Sequence, residues 1–300
     1  MVHSFKIVNK YYWKSLFGPG LMFVFSILYM FINTSIWDIA SQMQPFVVLP
    51  NIFCGMILLI TMLCIPVTIN SLRTSMIMKR IGASKITSLQ FITVVILYYY
   101  VVTLIGYLWY IACGFLVFCN RVDDYINILK MINVPCLLYS TTISFLLGVT
   151  FGLFVLIFTK RNYVISLVAV LLFLAGSLLA PYESPIGSVH DITPIFDAST
   201  QELTKWSKST LYYFVYFDPF RYTTRMSYEA FFSQANTLYN FLGSNIFNPT
   251  EELQITSIAM AGPHVNLTEV DKWLNIFLPP FFITMFAISD AKMLEWSVRS

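Results

Sequence analysis

Apolar residues in this chain gather in long uninterrupted runs, not in the short alternations of a water-soluble fold. Five runs, at 21–37, 46–69, 91–118, 134–159 and 163–180, have about the length a bilayer-crossing helix needs. A sixth, at 273–289, carries Pro279-Pro280, where a kinked or broken helix is expected. None of the six contains Asp, Glu, Lys, Arg or His. The run at 91–118 is long enough to tilt or to project beyond a bilayer.

Between the runs the pattern is equally specific. In residues 3–16, Lys6, Lys10 and Lys14 recur every four positions, while Phe5, Val8, Tyr12 and Leu16 occupy another face. That spacing predicts a basic amphipathic helix on a membrane surface, within a unit at 1–17, with membrane lipids as its partner. Gly18-Pro19-Gly20 is expected to break this helix before the first span. In the fourth span Ser140, Ser144, Gly148 and Gly152 recur every four residues. Such a row of small residues predicts a seam where a second helix approaches closely, within one subunit or between two. Tyr98, Tyr99, Tyr100, Tyr107, Trp109 and Tyr110 crowd the third span, with Tyr98, Tyr99 and Tyr107 foremost. They are candidates to line a route for an amphipathic substrate, or else belong to belt and packing positions.

Composition supports the membrane reading. Of 300 residues, 57% are hydrophobic and 11% charged, against roughly 25% charged in soluble domains. With 17% aromatics the chain is equally unlike a disordered one. A net charge of +3 gives no reason to expect nucleic acid as a partner. The distribution of charge is more informative than its sum. If the N-terminus lies inside, the inner segments hold Lys6, Lys10, Lys14, Arg73, Lys79, Arg80, Lys85, Lys160, Arg161, Lys292 and Arg299, with Asp290 and Glu295 as their only acids. The outer segments hold 13 of the 15 acids. The excess of bases in short inner loops predicts a multi-pass cell-membrane protein with both termini cytoplasmic. The resulting organisation has five spans in 18–180, an extracellular segment at 181–272, and a sixth span with a short tail at 273–300.

Within the extracellular segment, 182–208 is polar and turn-rich and reads as irregular. An apolar, aromatic stretch at 211–217 is ended by Asp218-Pro219. Arg221, Arg225 and Glu229 then follow at helical spacing, with Tyr222, Met226 and Ala230 on the adjoining stripe. An interfacial or re-entrant helix near 211–233 is expected. A seventh span is not, since Asp218, Arg221 and Arg225 would lie in hydrocarbon. No cleaved signal peptide is expected, because no small-x-small site follows the first run.

Catalytic chemistry finds no footing. His3, His190 and His264 lack ligand spacing, and the chain has no phosphate-binding Gly-rich Lys-Ser/Thr loop and no G-x-S-x-G. No metal, cofactor or catalytic residue is expected, and the chain is not read as an enzyme. The spans also lack the ionisable residues of proton-coupled pumps. Any transport is therefore expected to draw its energy from elsewhere. The inner loop at 70–90 carries Arg73, Lys79, Arg80 and Lys85 and no acid. Either it is a docking element or it only anchors the positive-inside orientation.

The order of these parts resembles the membrane subunit of a type 2 ABC transporter, the permease of many bacterial exporters. The resemblance is best at Met78-Lys79-Arg80-Ile81-Gly82-Ala83-Ser84 and at Phe217-Asp218-Pro219-Phe220-Arg221-Tyr222. Lys85 stands where the family often has Pro, and the acid that often precedes the Gly is missing. The resemblance implies a permease dimer, homomeric or heteromeric, around a substrate pathway. Each subunit would dock on a separate ATPase subunit through 70–90 and the N-terminal helix. Arg73, Met76, Ile77, Lys79, Arg80 and Gly82 are the candidate coupling residues. The competing readings are an ATP-independent channel or membrane scaffold of another fold, and a membrane-embedded lipid enzyme.

Overall fold

The computed structural model describes the backbone of residues 2–15, 17–36, 44–74, 88–159, 161–179, 192–196, 203–208 and 277–285, together with 223, 227, 230, 231 and 287. This part is overwhelmingly helical. Its elements are α1 (Val2–Lys14), α2 (Phe17–Pro19), a π-helical stretch (Gly20–Phe25), α3 (Ser26–Ile36), α4 (Gln44–Thr74), α5 (Ser88–Val117), α6 (Val122–Met131), α7 (Val134–Phe158) and α8 (Asn162–Leu179). Residues 277–285 are also helical, through Pro279 and Pro280.

Among the described residues, three helices are long and apolar enough to cross a membrane, with candidate spans Gly55–Leu72, Gln90–Val117 and Val134–Phe158. Gly20–Phe31 and Asn162–Leu174 are shorter apolar helical segments. At 1.5 Å per residue, the 30 residues of α5 reach about 45 Å, beyond a hydrocarbon core of about 30 Å. The face of α5 carrying Leu97, Val101, Ile105, Leu108 and Leu116 is exposed, as are Leu167 and Leu171 of α8. Exposed leucine and valine along apolar helices suit a lipid solvent.

Local chemistry accounts for the helix ends. Asn133 caps α7: its side chain accepts from the Cys136 backbone N–H at 3.3 Å, and Pro135 sits in the first turn, where its missing N–H costs nothing. At the other end Thr159 is extended, and its hydroxyl accepts from the Arg161 backbone N–H at 3.2 Å. A turn this short makes α7 and α8 antiparallel neighbours.

The connection after α1 differs from the expected break at Gly18-Pro19-Gly20. Helix α1 ends at Lys14, and those three residues lie inside the next helical segment. Pro19 there has φ −58° and ψ −41°, ordinary helical angles. Proline is tolerated in a first turn, so the helix starts over it and winds as π from Gly20. Ser26 closes that stretch by donating to the Met22 carbonyl at 2.6 Å.

Helix α6 is anchored by Tyr125, which is fully buried. Its hydroxyl donates to the Ile111 carbonyl at 2.8 Å and its ring lies 4.8 Å from Phe115 and 5.6 Å from Phe118. A Cβ at position 114 would collide with the Tyr125 hydroxyl, so Gly114 is what admits the ring. Burial raises the pKa of that hydroxyl and keeps it a donor.

Outside the bundle, Ile192–Phe196 (β1) and Leu203–Lys208 (β2) pair as an antiparallel ribbon. The polar stretch 182–208, read from sequence as irregular, thus contains regular backbone. Thr223, Ser227, Ala230 and Phe231 are helical and buried. Of the stripe expected at Tyr222, Met226 and Ala230, Ala230 is buried, and Tyr222 and Met226 lie outside the described residues. The Phe231 ring stands 5.3 Å from Phe53, and the Ala230 carbonyl accepts from the Asn133 N–H at 2.9 Å.

Candidate functional site

The small-residue seam of α7 packs within this chain, against α4. Ser140, Ser144, Gly148 and Gly152 are all buried. A Cβ added at Gly148 would strike the Thr61 hydroxyl, and one at Gly152 would come within 3.2 Å of the Met62 Cα and the Pro66 ring. Backbones this close are what small-x-x-x-small rows permit. The hydroxyls lining the seam are satisfied on their own helices. Thr61 donates to the Ile57 carbonyl at 2.7 Å, Ser140 to Leu137 at 3.0 Å and Ser144 to Ser140 at 2.7 Å.

The tyrosines of α5 bridge to other helices. Tyr98 and Tyr99 are buried, as is Tyr107. Tyr98 donates to the Asn9 side chain on α1 at 2.8 Å. Tyr99 shares a hydrogen bond with Thr68 on α4 at 2.7 Å, and Tyr107 shares one with Thr141 on α7 at 2.6 Å. Tyr100, from the same crowded stretch, is tied to Thr142 at 2.9 Å. All four hydroxyls thus find partners across helix interfaces, as buried tyrosines require.

Helix α1 lies against this part of α5. Ser4, Val8 and Tyr12 form its buried face. Phe5, which the sequence pattern grouped with Val8 and Tyr12, is 40% exposed, although its ring edge still meets Tyr98 at 5.1 Å. The Tyr12 ring contacts Tyr98 and Tyr99, both at 5.6 Å, and Gly18 makes room for it: a Cβ there would lie 2.5 Å from the ring. Burial raises the Tyr12 pKa, and its protonated hydroxyl donates to the Met22 sulfur at 3.4 Å. Leu16 lies outside the described residues. The apolar face of α1 is thus spent on protein, and Lys6, Lys10 and Lys14 point away from the bundle as exposed residues.

At the same end of the bundle, α4 is clasped to α8. The Asn70 amide donates to the Asn162 side-chain oxygen at 2.6 Å, and the Asn162 amide donates to the Ser71 hydroxyl at 2.9 Å. Neither asparagine was singled out from sequence, because a lone Asn near a span end carries no signal of a partner 92 positions away. The clasp sits one turn before the end of α4, whose backbone includes Arg73. Met76, Ile77, Lys79, Arg80 and Gly82 lie outside the described residues. The described residues include the two helical flanks of that segment, α4 running to Thr74 and α5 starting at Ser88.

Searches with the chain found no matching family model, curated protein or solved structure.

Proposed function

We propose that this chain is the membrane-spanning permease subunit of an ATP-driven exporter, paired with a second permease subunit and worked by a separate ATPase. The observation that carries this reading is mechanical. Helices α4 and α5 flank the basic segment directly, and α4 is tied to α8 by the Asn70–Asn162–Ser71 clasp just before it. A push on the segment would be passed to three helices at once, as rigid-body coupling requires. The absence of ionisable residues from the apolar runs, and the Lys-Arg-Ile-Gly-Ala-Ser resemblance, fit an energy source outside the chain. Purification of the tagged full chain from its native membrane tests the reading. A co-eluting subunit with substrate-stimulated ATP hydrolysis is expected. Transport that persists without any ATPase would instead support the channel reading.

The proposal includes six spans with both termini cytoplasmic. Impermeant thiol labelling of intact cells is expected to reach Ser199→Cys and to miss Ser75→Cys and Ser297→Cys. The variants are made in a Cys119→Ser background, because Cys119 is exposed and would react itself. Labelling at position 75 would overturn the orientation.

A further inference from the structure

We propose that the outward face of α1 is a binding site for anionic phospholipid, with Lys6, Lys10 and Lys14 holding the headgroup and Trp13 marking the acyl boundary. On a helix, Lys6, Lys10, Trp13 and Lys14 stand at i, i+4, i+7 and i+8 and so share one face. All four are exposed, Trp13 by 55%. The α1 sequence holds no acid to compete for the lysines.

The occupant follows from what the face adjoins. The Trp13 ring stacks on Phe23 at 6.2 Å, and Phe23 meets Trp109 at 5.6 Å. The Trp109 indole N–H donates to the Phe23 carbonyl at 3.1 Å. Phe23 belongs to the π-helical stretch, whose neighbours Val24, Leu28 and Phe31 are 69%, 52% and 51% exposed. From the exposed hydrocarbon beside Phe23, the surface therefore passes through Trp13 to a row of ammonium groups. That sequence matches acyl chain, glycerol region and phosphate in a leaflet. Lysines can lay their stems along the apolar part and lift the charge to the headgroup. An acidic protein surface would satisfy the lysines but would leave Trp13 and the adjoining apolar face without a match.

The inference needs only that the chain resides in a bilayer, and its test contains no ATPase, so its failure would leave the exporter reading untouched. The full chain is placed in phosphatidylcholine nanodiscs doped with brominated phosphatidylglycerol or, separately, brominated phosphatidylcholine. Quenching of Trp13 is taken as the difference between wild type and Trp13→Phe. Brominated phosphatidylglycerol is expected to quench Trp13 several-fold more than brominated phosphatidylcholine. Each Lys→Gln change should cut that preference by up to about fivefold, the factor carried by one base near an anionic surface. The triple variant should show no preference, and triple Lys→Arg should retain it. Equal quenching by the two lipids in wild type, or a preference that survives the triple Gln variant, overturns the proposal. Should Trp13→Phe not fold, retention of phosphatidylglycerol over phosphatidylcholine in native mass spectrometry, wild type against the lysine variants, reads the same preference.

Discussion

Gly148→Leu is expected to cost on the order of 3 kcal/mol or more and to lower the thermal midpoint of the detergent-solubilised chain markedly. Position 148 faces the Thr61 side chain so closely that even one added carbon collides with the hydroxyl. Leucine adds three more carbons at a place where the next neighbour is the Leu58 backbone, at 3.6 Å from an ideal Cβ. Backbone cannot swing aside as a side-chain tip can, so α4 and α7 must part. Separation would loosen the neighbouring contacts of Ser144 and Gly152 as well, because all three lie on one buried row. Gly148→Ala is expected to fall between wild type and leucine, and Gly148→Ala with Thr61→Ala to recover part of the loss by removing the opposed hydroxyl. Fluorescence-detected thermal unfolding checks the series. Equal midpoints for wild type and the leucine variant would show that α4 and α7 do not pack as described.

Reversing Arg73 and Arg80 to Glu together is expected to abolish association with an ATPase subunit and substrate-stimulated ATP hydrolysis, while insertion is retained. Charges at a docking surface act through electrostatic complementarity, and two reversals would replace attraction with repulsion. Positive-inside bias also depends on these residues, so the labelling pattern at positions 75 and 199 must be read in the same variant. Under the proposed orientation, Lys6, Lys10, Lys14, Lys160 and Arg161 remain to hold the inner side. Correct insertion with an equally active, co-purifying ATPase would remove both arginines from the coupling surface. Met76 and Ile77 would then be the residues to test.

Which features were legible from sequence depended on whether the signal was carried by one element or shared between two. The long apolar runs at 46–69, 91–118 and 134–159 each announced a helix, because length and apolarity are properties of a single segment. The α7 seam was equally plain, since four small residues at one spacing need no partner to be seen. Its mate was not: nothing at Thr61 or Pro66 distinguishes α4 from another apolar helix until the backbones meet. The α5 tyrosines show the same limit. Their residue type predicted an amphipathic role, but Asn9, Thr68 and Thr141 come from three different helices. On α1 the lysine row was legible, whereas the buried face was misread by one position. Hydropathy favoured Phe5 over Ser4, yet Ser4, not Phe5, is the position buried with Val8 and Tyr12. A phenylalanine left at the rim still finds an aromatic neighbour, and a serine in the groove permits close approach. The π winding after Pro19 was illegible because Gly-Pro-Gly is a turn signal in water, and only the packing of Met22 over Gly106 and against Tyr12 makes the helical path visible.

The two kinds of polar contact in the bundle imply unequal freedom of movement. Thr61, Ser140 and Ser144 have given their hydroxyl protons to carbonyls of their own helices, so translating α7 along α4 breaks none of those three bonds. The hydroxyls of Tyr98, Tyr99, Tyr100 and Tyr107 work in the opposite sense, and each would lose its partner if α5 moved relative to α1, α4 or α7. The seam alone would let its two helices slide, but the tyrosines rivet both of them to α5, at Thr68 of α4 and at Thr141 and Thr142 of α7. A stroke delivered to this bundle would therefore carry α4, α5 and α7 together, and sliding along the seam would require the tyrosine bonds to exchange first.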